Sequence, residues 1–258
     1  MASDGGLTKV RAVERAMALL QAFDPAALRL PLSDLSRRTG LDKGTTRRLL
    51  QTLVAGEFVE FDDRTKTYAL GPGILLLVPS VRYGRDLRDV AAPILARLAE
   101  RTGATSFIWT HFRGAALCLD RVKGPEITIE AVWSSIGDRV ELNAAGGPRT
   151  LLAFLPPDDR ARILAAPLPQ YTARTQTDPA GLETAATRIR QRGWEFAVDD
   201  YVVGLSGLGA PILDRTGRLA ASVSISTLTP KFAVTDGVPL LLPFVLEAAA
   251  EISVRLGQ

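Results

Sequence analysis

The stretch that decides the fold is residues 32–70, LSDLSRRTGLDKGTTRRLLQTLVAGEFVEFDDRTKTYAL. Ser33 is placed to cap a short helix carrying Leu35, and Gly40 to end it, because glycine accepts the left-handed conformation of a helix terminus. Leu41 plugs the turn, and Asp42 caps a further helix running from Lys43 to about Ala55. On that helix Leu49, Leu50, Leu53 and Val54 cluster on one side, while Gly44, Thr45, Arg48 and Gln51 project from the other. Residues 58–61 and 67–70 are strand-like runs enclosing the polar turn 62–66, which makes a hairpin. Two short helices joined through a glycine turn form a helix-turn-helix whose second helix enters a DNA major groove, and a hairpin directly behind it is the wing of a winged helix.

Charge supports that reading. Between Arg37 and Arg48 the chain carries five cations (Arg37, Arg38, Lys43, Arg47, Arg48) against one acid, Asp42, and such a cluster suits phosphate neutralisation. A solvated helix face is the bland alternative for any charge run; the hairpin that follows argues against it. Arg64 and Lys66 stand at the wing tip, within reach of backbone or minor groove. The expected DNA-contacting set is Arg37, Arg38, Lys43, Gly44, Thr45, Arg47, Arg48, Arg64 and Lys66, with Arg47 and Arg48 the foremost candidates.

Upstream, Val10, Val13, Met17 and Leu20 share a helical face that Ala16, Leu19 and Phe23 widen, and Asp24-Pro25 ends the helix. Downstream, Gly71-Pro72-Gly73 opens an apolar stretch expected to link two domains. A helix through Val90 to Ala99 then closes at Gly103, and strands are expected over 105–110, 116–122 and 126–133. Helices follow over 149–155, 158–165 and 179–191, the last capped by Asp178 before Pro179. A hairpin of 208–213 and 219–226 and a closing helix over 240–256 complete an α+β domain. The expected organisation is a DNA-binding domain over 8–71, a linker helix over 72–85 and a ligand-binding, oligomerising domain over 86–258.

The 258 residues are 47% hydrophobic and 23% charged, enough to bury a real core, and the formal charge of +3 selects no partner by itself. The single cysteine, Cys118, cannot form an internal disulfide, and the longest apolar runs, 74–78 and 240–242, are far short of a membrane span; a cytoplasmic protein without membrane contact is expected. An enzyme is the main rival. Its inventory is thin: His111 and Cys118 lack a third member to orient them, no Cys/His cluster has zinc spacing, and Asp199-Asp200 would point to opposite faces if extended. The run GLSGLG at 204–209 lacks the ending of a phosphate loop and the spacing of a nucleophile elbow, leaving a close backbone approach as the milder interpretation. Neither a cofactor nor a metal is expected. A protein-interaction module is the third reading.

With these elements in place, the whole chain resembles the IclR family of bacterial transcriptional regulators. The matching landmarks include VRAVERAMALLQAF, LSDLSRRTGLDKGTTRRLLQTLVAGEFVE, YALGPGIL, LCLDRVKGP, LLAFLP, YTARTQTDP, RGWEFAVDDYVVGLSGLGAPI and ASVSIS, in order. The resemblance implies an N-terminal winged helix, a linker helix and a GAF-like effector domain that assembles as dimers or tetramers. It implies repression or activation of catabolic or metabolic genes in response to a small metabolite, with a repressor of an operon, bound at a duplex operator, the expected role here. It places the effector cavity around Asn143, Gly146, Gly147 and Arg149, around Ser206 and Gly207, and at Ser224 and Ser226, with Phe107 and Trp133 as apolar walls and Leu119 completing the set. Ser224 and Ser226 alternate along a strand, so both hydroxyls face one side and could hold one carboxylate. Departures stand at Gly207, where the family often has cysteine, at Ala197, where some members have an acid, at Pro148-Arg149 in place of Gly-Lys, and at Asn143 in place of histidine. They suggest a roomier, less polar pocket with a cation at Arg149, and a carboxylate effector, aromatic acids included.

Overall fold

The computed structural model describes residues 10–23, 27–80, 85–124 and 135–257. The chain divides into two compact units, Met1–Tyr83 and Gly84–Gln258.

In the first unit, helix α1 (Arg11–Leu20) precedes strand β1 (Leu30–Pro31), helices α2 (Leu32–Thr39) and α3 (Lys43–Ala55), strands β2 (Val59–Asp62) and β3 (Thr67–Leu70), and helix α4 (Gly73–Leu77). The turn chemistry is as expected at two places: Gly40 takes φ +68° at the end of α2, and the Asp42 carboxylate accepts the Thr45 N–H at 2.9 Å to cap α3. Ser33 is not the cap of α2, because that helix begins a residue earlier, with Pro31 holding the extended N-cap position. The hairpin aligns Val59 with Leu70 and Asp62 with Thr67, and β1 adds a third strand beside β3. Leu19, Leu35, Leu50, Val59 and Tyr68 form the core between the helices and this sheet. The apolar face of α1 is therefore shifted from the expected one. Leu19 is buried with Leu20 and Phe23 packed beside it, whereas Val10, Val13 and Met17 remain 61%, 53% and 57% exposed, because the core of the unit meets the side that Leu19, Leu20 and Phe23 occupy. Asp24-Pro25, the expected helix break, lies outside the described residues. The expected linker helix is represented by α4 and a 3-10 turn over Val78–Ser80.

The second unit begins with α5 (Arg85–Thr102), β4 (Thr105–Phe112), β5 (Ala115–Val122), β6 (Arg139–Glu141), α6 (Gly146–Phe154), α7 (Pro157–Leu164) and α8 (Pro179–Arg192). It continues with β7 (Glu195–Val198), β8 (Leu205–Leu213), β9 (Leu219–Leu228), the short β10 (Val234–Thr235) and β11 (Val238–Pro239), and α9 (Leu242–Leu256). Six strands form one antiparallel sheet in the order β6-β5-β4-β9-β8-β7. One face carries α5 and α9 over Ile108, Leu119, Leu208, Val223 and Ile225; the other carries the cluster of Phe107, Trp109, Cys118, Leu151 and Leu182 beneath α6 and α8. Covering both faces buries alternate residues on each side, which explains why β9 is buried almost throughout although every second residue from Ser222 to Ser226 is polar. Asp178 caps α8 through the Gly181 N–H at 2.7 Å, as expected, while β6 and β7 are strands that the residue pattern did not signal. The expected strand over 126–133 lies outside the described residues. No helix among the described residues is long and apolar enough to cross a membrane.

Candidate DNA-binding surface and effector cavity

Thr46 and Leu50 anchor α3 in the core, which turns Lys43, Gly44, Arg47 and Arg48 to solvent and leaves Thr45 half-buried at the rim. The nine expected DNA-contacting residues then separate by partner. Lys43, Arg47, Arg48 and Arg64 have no ion-pair partner among the described residues. Arg37 pairs with Asp34 at 3.1 Å, Arg38 donates from Nη1 to the Ala22 carbonyl at 2.9 Å, and Lys66, at φ +55° in the wing turn, pairs with Asp63. Asp62 organises the wing by accepting the N–H groups of Arg64 and Thr65 at 2.9 and 3.2 Å, and these hydrogen bonds hold its carboxyl below the ordinary range.

In the second unit, the N-terminus of α6 runs directly onto the sheet. A side chain at Gly146 would place Cβ 2.5 Å from the Gly207 carbonyl oxygen, and one at Gly209 would meet the Gly146 carbonyl oxygen at 2.5 Å. Only glycine permits this approach, so Gly207 and Gly209 of GLSGLG serve the packing of α6, whereas Gly204 meets a turn at φ +87°. A cavity lies at the contact, bounded by the first turn of α6, by Phe107 and Trp109 of β4, by Ser224 and Ser226 of β9, and by Asp200 to Val202 with Ser206 and Gly207. Gly146 and Gly147 are the first residues of the helix, so their N–H groups have no intrahelical acceptor. The Ser224 oxygen accepts the Trp109 Nε1–H at 3.0 Å, Ser226 donates to the Ser206 carbonyl at 2.9 Å, and Ser222 donates to the Gly147 carbonyl at 2.9 Å, tying helix to strand. The free volume is about 20 Å³, enough for one water molecule or little more. The space at Gly207 expected, together with Ala197, to make a roomier pocket is taken by the α6 backbone, with the Gly146 nitrogen 3.2 Å from where a Cβ would stand.

Seven of the eleven expected cavity residues meet here: Phe107, Gly146, Gly147, Ser206, Gly207, Ser224 and Ser226. Leu119 does not, since its place in the alternation of β5 puts it on the opposite face, against α5 and α9. Asn143 is wholly buried and donates to the carbonyls of Pro169 and Gln176, at 2.9 and 3.0 Å, pinning the loop before α8. Arg149 points behind the cavity, to Glu195 at 2.9 Å and Asp200 at 3.3 Å; the cation expected for the ligand is thus neutralised by protein carboxylates. Trp133 lies outside the described residues. Missed from the sequence were Trp109, which its alternation with Phe107 on β4 could have signalled, and Asp200, for which local sequence holds no signal.

Asp200 accepts the Ala145 N–H at 3.0 Å besides its contact with Arg149. Burial pushes its carboxyl above the ordinary range, against the pull of Arg149 and the Ala145 hydrogen bond, and burial raises Glu195 likewise against Arg149 and Arg192. Ala145, immediately before α6, sits at φ +62°, ψ 152°, a region that belongs essentially to glycine. Strain is therefore stored where the helix enters the cavity. The enzyme alternative finds no dyad: across the β4–β5 ladder His111 faces Ala116 and Cys118 faces Trp109. No group of three or more His, Cys, Asp or Glu among the described residues could hold a metal ion.

Residues 12–63 match the IclR helix-turn-helix domain, and residues 81–254 match the family described as bacterial transcriptional regulator IclR C-terminal. The chain belongs to the IclR family. Among its relatives, the HTH-type transcriptional regulator BhcR of Paracoccus denitrificans is 32% identical over 246 residues, covering 95% of this chain and 86% of that protein. The HTH-type transcriptional repressor AllR of Escherichia coli K12 is 28% identical, over 96% of this chain and 90% of that one. A solved structure from Rhodococcus sp. RHA1, described as a transcriptional regulator, superposes with a TM-score of 0.79 at 29% identity, covering 96% of this chain and 98% of its own. This IclR-family chain is accordingly a DNA-binding transcriptional regulator with an effector-binding domain.

Proposed function

We propose that the protein represses a catabolic or metabolic operon by binding a pseudo-palindromic operator as a homodimer or tetramer, and that a small carboxylate held at the N-terminus of α6 releases it. DNA binding is assigned to 8–71, the link to 72–85, and effector binding with assembly to 86–258. On DNA, α3 lies in the major groove, with Lys43, Arg47 and Arg48 on phosphate and base edges and Arg64 beside the groove; two-fold symmetry sets the half-site spacing. The observation that carries the effector reading is the meeting of the first two N–H groups of α6, which have no intrahelical acceptor, with the Ser224 hydroxyl in one cavity that Ser226 also lines. Helix N-termini attract anions through those N–H groups and the helix dipole, and the Ser224 hydroxyl completes the donor set. The cavity volume favours a compact acid; an aromatic one needs the site to open. To switch transcription, the acid must bind the DNA-competent and DNA-incompetent arrangements with different affinity.

The test is a titration of the protein against duplex DNA from upstream of its own gene, at two salt concentrations with excess nonspecific competitor, repeated with a panel of carboxylates. Salt-sensitive binding that survives competitor and weakens with one acid is expected. The Ser224→Ala, Ser226→Ala double variant should keep the operator and lose the response to the acid. An unchanged response would remove those serines from the site.

A further inference from the structure

Besides the close approach of α6 to Gly207, one side chain keeps the cavity small. Trp109 is among the largest fully buried side chains of the protein. It shares the α6-facing side of β4 with Phe107, the two rings stacking at 5.5 Å with 26° between their planes. The indole is wedged against the first turn of α6: a methyl group added at Gly147 would stand 2.5 Å from its Cδ1 and 2.7 Å from its Nε1. Facing it, Gly146 and Gly207 contribute backbone only, and neither has a side chain to withdraw. Against the first turn of α6 the group that can make or remove room is therefore the indole, the largest side chain of a lining that Phe107, Tyr201, Val202 and Leu205 complete. It has a second effect. Because the Ser224 oxygen accepts the indole N–H, the hydroxyl proton of Ser224 remains available for an incoming anion.

We propose that Trp109 is the specificity-determining residue of the effector site, restricting it to short, unbranched carboxylates by occupying the place an aromatic ring would take. The inference rests on the reading of this cavity as the carboxylate site. An acid of two or three carbons reaches Gly146, Gly147 and Ser224 with small shifts of the walls. A benzoate-sized acid meets the indole, and close-packed interiors yield little without cost.

The experiment uses the full chain and its Trp109→Leu and Trp109→Phe variants, each checked for folding by circular dichroism and titrated calorimetrically with acetate, pyruvate and benzoate. The wild type should bind at least one of the short acids and bind benzoate roughly tenfold or more weakly, the scale on which an apolar pocket discriminates by size. Trp109→Leu should improve benzoate relative to the short acids by roughly tenfold or more. Trp109→Phe, which keeps the stacking on Phe107, should move the ratio in the same direction by a smaller factor, so the inference remains testable if the leucine variant does not fold. A wild type that binds benzoate as tightly as the short acids, or folded variants with an unchanged ratio, would overturn it. Absence of binding by all three acids to all three proteins would defeat the carboxylate reading itself and the inference with it.

Discussion

Replacing Gly146 by alanine tests the geometry on which the cavity depends. The added Cβ would stand 2.5 Å from the Gly207 carbonyl oxygen, 2.7 Å from its carbon and 3.0 Å from the Leu208 nitrogen. These are backbone atoms of β8, paired on both sides with β7 and β9, so the strand cannot give way and α6 must lift. Overpacking of this kind costs about 1–3 kcal/mol, and a forced shift of a helix off a sheet belongs at the upper end. Against it stands the helix preference of alanine over glycine, at most about 1 kcal/mol and less in the first turn. The net is about 2 kcal/mol of destabilisation, which for a unit of this size lowers the melting midpoint by about 4–8 °C. Scanning calorimetry of the full chain would read that shift, and a parallel titration should show loss of acid binding, since lifting α6 withdraws the Gly146 and Gly147 N–H groups. A midpoint equal to or above the wild type would mean that helix preference wins and that α6 does not sit on Gly207 as described.

Three further outcomes follow from individual residues. Arg48→Ala should cost roughly 1–3 kcal/mol of operator binding or, if Arg48 meets only phosphate, lower the salt slope by about one, with acid binding intact in a calorimetric titration; parallel loss of both would contradict the division of labour between the two units. Ala145→Gly should stabilise the second unit by about 1 kcal/mol, because relief of a strained φ of about 1–3 kcal/mol exceeds the entropy glycine adds to the unfolded chain; denaturant melts showing a loss would refute the strain. For Asp200→Asn the pH dependence is the readout. A carboxyl raised in the folded state holds its proton where the unfolded chain has released it, so this group's contribution to stability falls as pH rises above its ordinary value of 3.8. The stability difference between wild type and variant should therefore shrink, or turn more negative, with rising pH; a difference flat with pH across that window would show that Asp200 is not raised.

The winged helix was legible because its signals are local. Gly40 and Asp42 act on backbone within three residues, and the leucines of α3 declare its buried side by their spacing. Besides the cap of α2, which is Pro31 and not Ser33, its misreading was the face of α1, where two apolar faces compete and the choice belongs to α2 and α3. In the second unit the helices and the β8–β9 hairpin were legible for the same local reasons. β6 and β7 were not, since a strand of three or four residues gains its order from its partner. Similarly, the resemblance together with strand alternation located Ser224, Ser226, Phe107 and the α6 glycines, all of which line the cavity.

What the sequence by itself determined, then, is what repeats along the chain: the capped helices, the hairpins, the cationic run on α3 and the alternating serines of β9. What only the tertiary structure decided is the ownership of charge and space. Arg38 and Arg149 read as free cations in the chain, yet each is engaged by a group far away in sequence, the Ala22 carbonyl for one and Glu195 with Asp200 for the other. Gly207 read as an opened pocket, yet the backbone of α6 occupies the opening. For Arg149 and Gly207 the physical reason is shared, while the exposed Arg38 reaches a carbonyl that the fold brings beside it. An unpaired charge or an empty volume is costly inside a protein, so the fold fills both from whatever element it brings alongside, and sequence proximity has no say in which element that is.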